Sequence, residues 1–440
     1  MMSKIRDAFK IPELRKRLLF TLLMLAVVRL GCQLPVPGVE RDVLGNLFQS
    51  AGDSMNFFNA ITGGSFETFS VFALNITPYI TASIIIQLLT IAFPKLEEMQ
   101  RDGEAGRKKI VQITRYTTIG LSLLESIAMG IGFGRSNYIS GFSEHPFLTV
   151  VLFAACLTAG STILMWIGER ITTQGIGNGI SIVLIINIIS RLPQDIVSLW
   201  NQFVAGKPIP NMVLAIAIIA AIIVAIVVLV VLLQGAERRI PVQYSKKLQG
   251  AHSFGTQSSY IPIKVNTAGV IPVIFAQSIM QTPVIIATLL GKGQGTGIGY
   301  DILYSLSESH WFNPSNFKYT IGAVIYVLLN IAFAYFYTSI TFNPLLVADN
   351  LKKSAGFIPG IRPGKPTSDY LSTVLNRIIF IGAIGLSVVA LIPIALNGLL
   401  GTNISFGGTS IIIVVGVVIE TLNQIDSQMM VRNYRGFLND

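Results

Sequence analysis

Residues 212–233 read MVLAIAIIAAIIVAIVVLVVLL, twenty-two positions without a charged or polar side chain. At 1.5 Å rise per residue, about 20 apolar residues cross the ~30 Å hydrocarbon core of a bilayer, so this run predicts a membrane-spanning helix by length alone. The same reading predicts nine more spans, near residues 18–34, 69–93, 110–133, 147–167, 176–189, 267–290, 319–340, 371–396 and 409–429. The composition agrees, because 12% of the 440 residues are charged and 52% hydrophobic, whereas a water-soluble chain carries about 25% charged residues. The expected fold is an all-α polytopic membrane protein of ten transmembrane helices. It divides into two five-helix halves, residues 1–200 and 201–440.

The first span imitates a secretory signal peptide, with a basic start from Lys4 to Arg17 before an apolar run. A small-residue cleavage pattern does not follow, so retention as a helix is the expectation. Arg29, near its far end, reads as a snorkelling side chain.

Charge then separates the two ends of the spans. Six segments, 1–17, 94–109, 168–175, 235–266, 341–370 and 430–440, together with Arg115 and Arg377, hold 25 of the 32 Lys and Arg; the opposite loops hold 6. Cytoplasmic loops carry the excess of Lys and Arg, so both termini are predicted to be cytoplasmic. Two of the basic loops, 235–266 and 341–370, exceed 25 residues, while helix connections usually need 2–8. The surplus length points to docking.

Helix breakers recur where a passive anchor would lack them. Gly63 and Gly64 precede the second span, Pro78 is read inside it, the seventh carries Pro272 and Pro283, and the fifth opens on 175–179, GIGNG. Irregular backbone at membrane depth is tolerated where it is buried in protein or lines a cavity, which favours transport over scaffolding. Residues 76–84 and 271–279 also echo each other: aligned on Pro78 and Pro272, both place Ile at +2 and Ala at +4. An internal 5+5 repeat would build a hinged path.

Chemistry-bearing clusters are sparse. Cys32 and Cys156 lie in apolar stretches, and His145, His252 and His310 lie in separate loops, so neither a disulfide framework nor a metal site is expected. The nucleotide-binding pattern GxxxxGK[ST] is missing, and the glycine-rich strings lack the strand-to-helix context such sites need. The carboxylates within spans are Glu125, Glu420 and Asp426. No catalytic group or cofactor is expected. Energy for transport must then come from a partner or from an ion gradient, and a gradient-driven secondary transporter of a small solute predicts charged midplane groups.

Six strings decide between partner and gradient: 72–88 (FALNITPYITASIIIQL), 103–107 (GEAGR), 165–181 (MWIGERITTQGIGNGIS), 265–274 (VNTAGVIPVI), 342–366 (FNPLLVADNLKKSAGFIPGIRPGKP) and 406–410 (FGGTS). In this order the chain resembles the SecY family, the channel subunits of the bacterial Sec protein translocon. The resemblance implies two helix halves closing like a clamshell on an hourglass pore. Its apolar ring falls on Ile76, Ile80, Ile180, Leu184, Ile274 and Ile413. The plug of the family falls on Phe57, Phe58, Asn59, Ala60, Ile61, Thr62, Gly63 and Gly64. A lateral gate to lipid would have Thr81, Gln87, Gln277 and Thr282 along its seam. Arg238, Arg239, Lys246, Lys247, Lys352, Lys353, Arg362 and Lys365 would dock the motor ATPase SecA or ribosomal RNA. The resemblance further implies SecE and SecG as companion subunits, preprotein signal sequences as clients, and the bacterial plasma membrane as location.

Overall fold

The chain's structure, a computed structural model, describes residues 9–39, 62–66, 68–135, 138–205, 208–244, 259–289, 297–312, 317–400 and 408–436. The opening run lies within helix α7, Ile209–Gly235, which the preceding helices α1 (Pro12–Gly31), α2 (Thr77–Ala92), α3 (Pro94–Arg101), α4 (Gly103–Arg135), α5 (Pro146–Gln174) and α6 (Gly179–Phe203) lead up to. Helices α8 (Ile271–Leu289), α9 (Ile298–Leu306), α10 (Ile321–Thr341), α11 (Pro344–Lys353), α12 (Lys365–Leu400) and α13 (Gly408–Gly436) follow. Among the described residues seven helical runs are long and apolar enough to cross a membrane, or eight if α2 and α3, bent by 107°, count as one broken span. Helices α1 and α8, of 20 and 19 residues, stand at the two remaining predicted positions. Of the most apolar window of α7 only 11% is buried by protein, as a surface whose solvent is lipid allows.

Proline placement corrects one expectation. Pro78 sits not inside its span but in the first turn of α2, where the missing N–H would have had no partner in any case. Residues 71–76 are turns instead, with Asn75 held at a φ of 51°. Pro272 is likewise the second residue of α8, so Ile80 and Ile274 are each the fourth residue of their helix. Gly175–Asn178 forms the turn before α6, and the Asn178 side chain caps it by accepting from the Ile180 N–H at 3.2 Å.

Helices α1–α6 pack mainly among themselves, as do α7–α13; the two sets meet where α6 touches α13 and α7, and where α4 touches α8. The first set encloses a core of Phe66, Phe69, Phe133 and Phe153, with Phe69 and Phe133 edge to face at 4.8 Å. The second is centred on Trp311, Tyr326, Val389 and Ile412.

A small sheet adds to the helical architecture. Strands β1 (Glu237–Tyr244) and β2 (Ser259–Lys264) pair antiparallel with Ile240 opposite Ile261, and β3 (Gly356–Phe357) pairs with β1 through Gln243 and Tyr244. Period-two burial explains it, since Ile240, Val242 and Ile263 point inward onto Leu351, Ile358 and Leu371 while their neighbours face outward. The two long basic loops thus form one lobe rather than two separate arms.

Candidate functional site

Seven helices, α2, α4, α5, α6, α8, α10 and α13, line a cavity of about 770 Å³ whose wall reaches Arg115 and Glu169 near the basic ends of α4 and α5. Ile80 of α2, Ile180 and Leu184 of α6, Ile274 of α8 and Ile413 of α13 all line it. Five of the six expected ring residues therefore share one wall. Ile76 is fully buried beside Leu164 and Ile167 and backs Ile80 rather than lining the space. Ile80 and Ile180 pack in one apolar cluster, while Ile274 and Ile413 pack in another with Ile188 and Val417. The first cluster lies within the first helix set, whereas the second joins Ile188 of α6 to Ile413 and Val417 of α13, so it bridges the two sets and parting them would open that contact. Above the apolar band, toward the basic face, the wall becomes polar and includes an ion pair, Arg115–Glu169, bonded at 2.7 and 2.8 Å.

Of the expected plug, Phe57, Phe58, Asn59, Ala60 and Ile61 lie outside the described residues. Its last three positions are described. Gly63, at a φ of +65°, rests directly on α6: a Cβ there would stand 2.7 Å from the Asn187 carbonyl oxygen and 2.9 Å from the Ser190 hydroxyl. Beneath it Asn187, 1% exposed, donates to Asn75 Oδ1 at 3.2 Å and accepts from Arg29 at 3.5 Å. Arg29 therefore turns inward, where the sequence reading had it snorkel. We expect Gly63→Ala to strain this seat by at least about 1 kcal/mol, because it combines a left-handed backbone with a clash. Faster modification of a cysteine placed at Ser65 would report the displaced segment; an unchanged rate would show that the seat tolerates a Cβ.

The expected gate residues are not hydrogen-bonded to one another. Gln87 donates to Ser83 at 3.4 Å and Thr282 to the Ser278 carbonyl at 2.6 Å, each within its own helix. Thr81 is half-buried. Gln277 is 1% exposed, and neither its amide nitrogen nor its oxygen has a partner among the described residues. From the first helix set, α8 meets chiefly α4. A buried unsatisfied amide costs about 1–3 kcal/mol, so Gln277→Leu should raise the melting temperature of the detergent-solubilised protein. A lower one would mean that the amide has an unseen partner such as water.

On the basic lobe, Arg239 is engaged, bonded to Glu237 at 2.6 Å and stacked 4.9 Å from the centre of the Tyr260 ring. Arg238, Lys352, Lys353, Arg362 and Lys365 are exposed, while Lys246 and Lys247 lie outside the described residues. Among the described residues no group of three or more His, Cys, Asp or Glu could hold a metal ion.

The family model for SecY matches residues 70–422. The chain belongs to the SecY family. Among SecY proteins, the protein translocase subunit SecY of Halalkalibacterium halodurans is 42% identical over 445 residues, covering all of both chains. That of Thermotoga maritima is 39% identical over 447, covering 100% of this chain and 98% of the relative. The fold resembles a solved protein-conducting channel with a TM-score of 0.65 at 19% identity, and Sec61 in the canine ribosome–channel complex with a TM-score of 0.62 at 19% identity. Each likeness covers 97% of both chains. In this SecY-family chain, two polar features escaped the sequence reading: the Arg29–Asn187–Asn75 cluster and the Arg115–Glu169 pair. Isolated Asn75 and Asn187 within apolar strings were the available signal. Their partners, 112 residues apart, were not.

Proposed function

We propose that this chain is a protein-conducting channel that passes unfolded preproteins across a membrane and releases transmembrane segments sideways into lipid. The observation that carries the reading is the apolar wall of Ile80, Ile180, Leu184, Ile274 and Ile413 around one cavity, drawn from both helix sets. An apolar constriction resists wetting by ions, and branched aliphatic side chains yield around a peptide without offering it a fixed binding site. A secondary transporter of a small solute would instead place ionisable groups at the constriction. Full-length identity of 42% to protein translocase subunits supports the same reading.

The basic face is assigned to the cytoplasm of a bacterial plasma membrane, with both termini on that side, by its excess of Lys and Arg. The lobe built from both basic loops is the docking platform for SecA or the ribosome, with SecE and SecG as companion subunits. Thr62–Gly64 is the root of the plug, and the border between α8 and the first helix set is the gate. Photo-crosslinkers at positions 80 and 274 should both capture a preprotein arrested in transit. Capture of lipid only, while the arrested chain is protected elsewhere, would remove these residues from the path.

A further inference from the structure

The funnel on the basic face has a polarity opposite to its surroundings. Outside it that face is dominated by Lys and Arg. Inside, the cavity wall carries one cation, Arg115, against two carboxylates, Glu169 and Glu420. Arg115 is consumed by Glu169, at 2.7 and 2.8 Å. Glu420, on α13, is exposed to the funnel and forms no ion pair and no hydrogen bond among the described residues. On α2, a helix of the other set, Gln87 lines the same cavity; its amide nitrogen donates to Ser83, and its Oε1 is buried without a donor among the described residues. The wall thus offers a free carboxylate and an orphaned acceptor, and its one cation is already neutralised. Groups that lack donors are complementary to a ligand that brings them, an ammonium or a guanidinium.

Resting on the channel reading above, we propose that Glu420, assisted by Gln87, is a receptor for cationic side chains, and that its occupant is the basic amino-terminal flank of an entering signal sequence. Signal sequences carry a positive segment immediately before their apolar core. With the flank held at Glu420, the apolar core that follows it lies against the band formed by Ile80, Ile274 and Ile413. The basic rim outside repels a cation, so the carboxylate within the funnel gives a positive flank a place to stop and sets which end of the signal stays on the basic side.

The test is the dependence of translocation on flank charge. In proteoliposomes holding the complete complex and its motor ATPase, one preprotein is presented with flanks of net charge 0, +2 and +4. The wild-type channel should initiate about 10-fold faster at +4 than at 0. Glu420→Gln should flatten this to less than about 2-fold, Glu420→Asp should preserve it, and Glu420→Lys should reverse it in favour of an acidic flank. Carbodiimide coupling should also join a flank lysine to Glu420, mapped by mass spectrometry, and the amide should be missing with Glu420→Gln. A Glu420→Gln channel that keeps the wild-type charge dependence, or that slows equally at every charge, overturns the proposal and leaves the channel reading intact. A wild-type complex that moves no preprotein sinks both.

Discussion

Arg362→Glu should abolish motor-driven translocation while leaving a folded, membrane-inserted protein. The turn between β3 and α12 holds this residue in a fixed place: Gly360 and Gly364 adopt φ angles of +84° and +101°, and the Thr367 hydroxyl donates to the Arg362 carbonyl at 2.8 Å. Ile358, 3% exposed, anchors the start of the turn in the core beneath the sheet. The guanidinium itself is exposed and has no ion-pair partner among the described residues. A preorganised, unpaired cation suits an acidic motor surface or an RNA phosphate, and removing one partner of such a buried pair costs about 2–5 kcal/mol. Reversing the charge adds repulsion, so a loss of at least ~100-fold in apparent affinity is expected. Stability should change by no more than about 0.5 kcal/mol, as at most exposed positions. ATP-driven secretion into inverted vesicles measures the first and the melting temperature the second. Arg362→Lys should retain partial activity at low salt and lose it as salt rises. Normal secretion by the glutamate variant would contradict the docking assignment.

The second large effect concerns the seal. Replacing Ile80 and Ile274 together by Asn should raise the resting ion conductance of the reconstituted channel by more than ~10-fold. Both are half-buried residues at the fourth position of their helices; Ile80 stands in an apolar cluster of the first helix set and Ile274 in the cluster that bridges the two sets. Amides there supply hydrogen-bond partners for water on both walls, removing the dewetting barrier on which an apolar constriction depends. Leu184→Ile serves as control, because a swap that conserves volume usually costs less than ~1.5 kcal/mol and leaves the band dry. Single-channel recording separates the outcomes. Equal leak in the double variant and the control would place the seal elsewhere.

The spans were legible because lipid demands long apolar runs: ten of the helices stand at the predicted positions, while the short helices α3, α9 and α11 were not anticipated. Local irregularities were less so. Pro78 lies within an apolar string and reads as an interior breaker; only the turns at 71–76 place it in a first turn. The hairpin within 235–266 was hidden because that segment was read for length and charge, although Glu237–Tyr244 has the buried alternation of a strand. The apolar ring residues are five isoleucines and one leucine among many like them, and no periodicity marks them. Their grouping follows from how α2, α6, α8 and α13 converge. Gate contacts failed for a related reason: polarity identifies Gln277 as unusual, but which helix faces it depends on the packing of α4 against α8.

The most direct test of the account is translocation itself. Purified protein with its companion subunits, placed in liposomes with the motor ATPase, ATP and a radiolabelled preprotein, should make the preprotein resistant to external protease in a strictly ATP-dependent manner. Saturable uptake of a small solute by the same liposomes, with every preprotein molecule still open to protease, would contradict it.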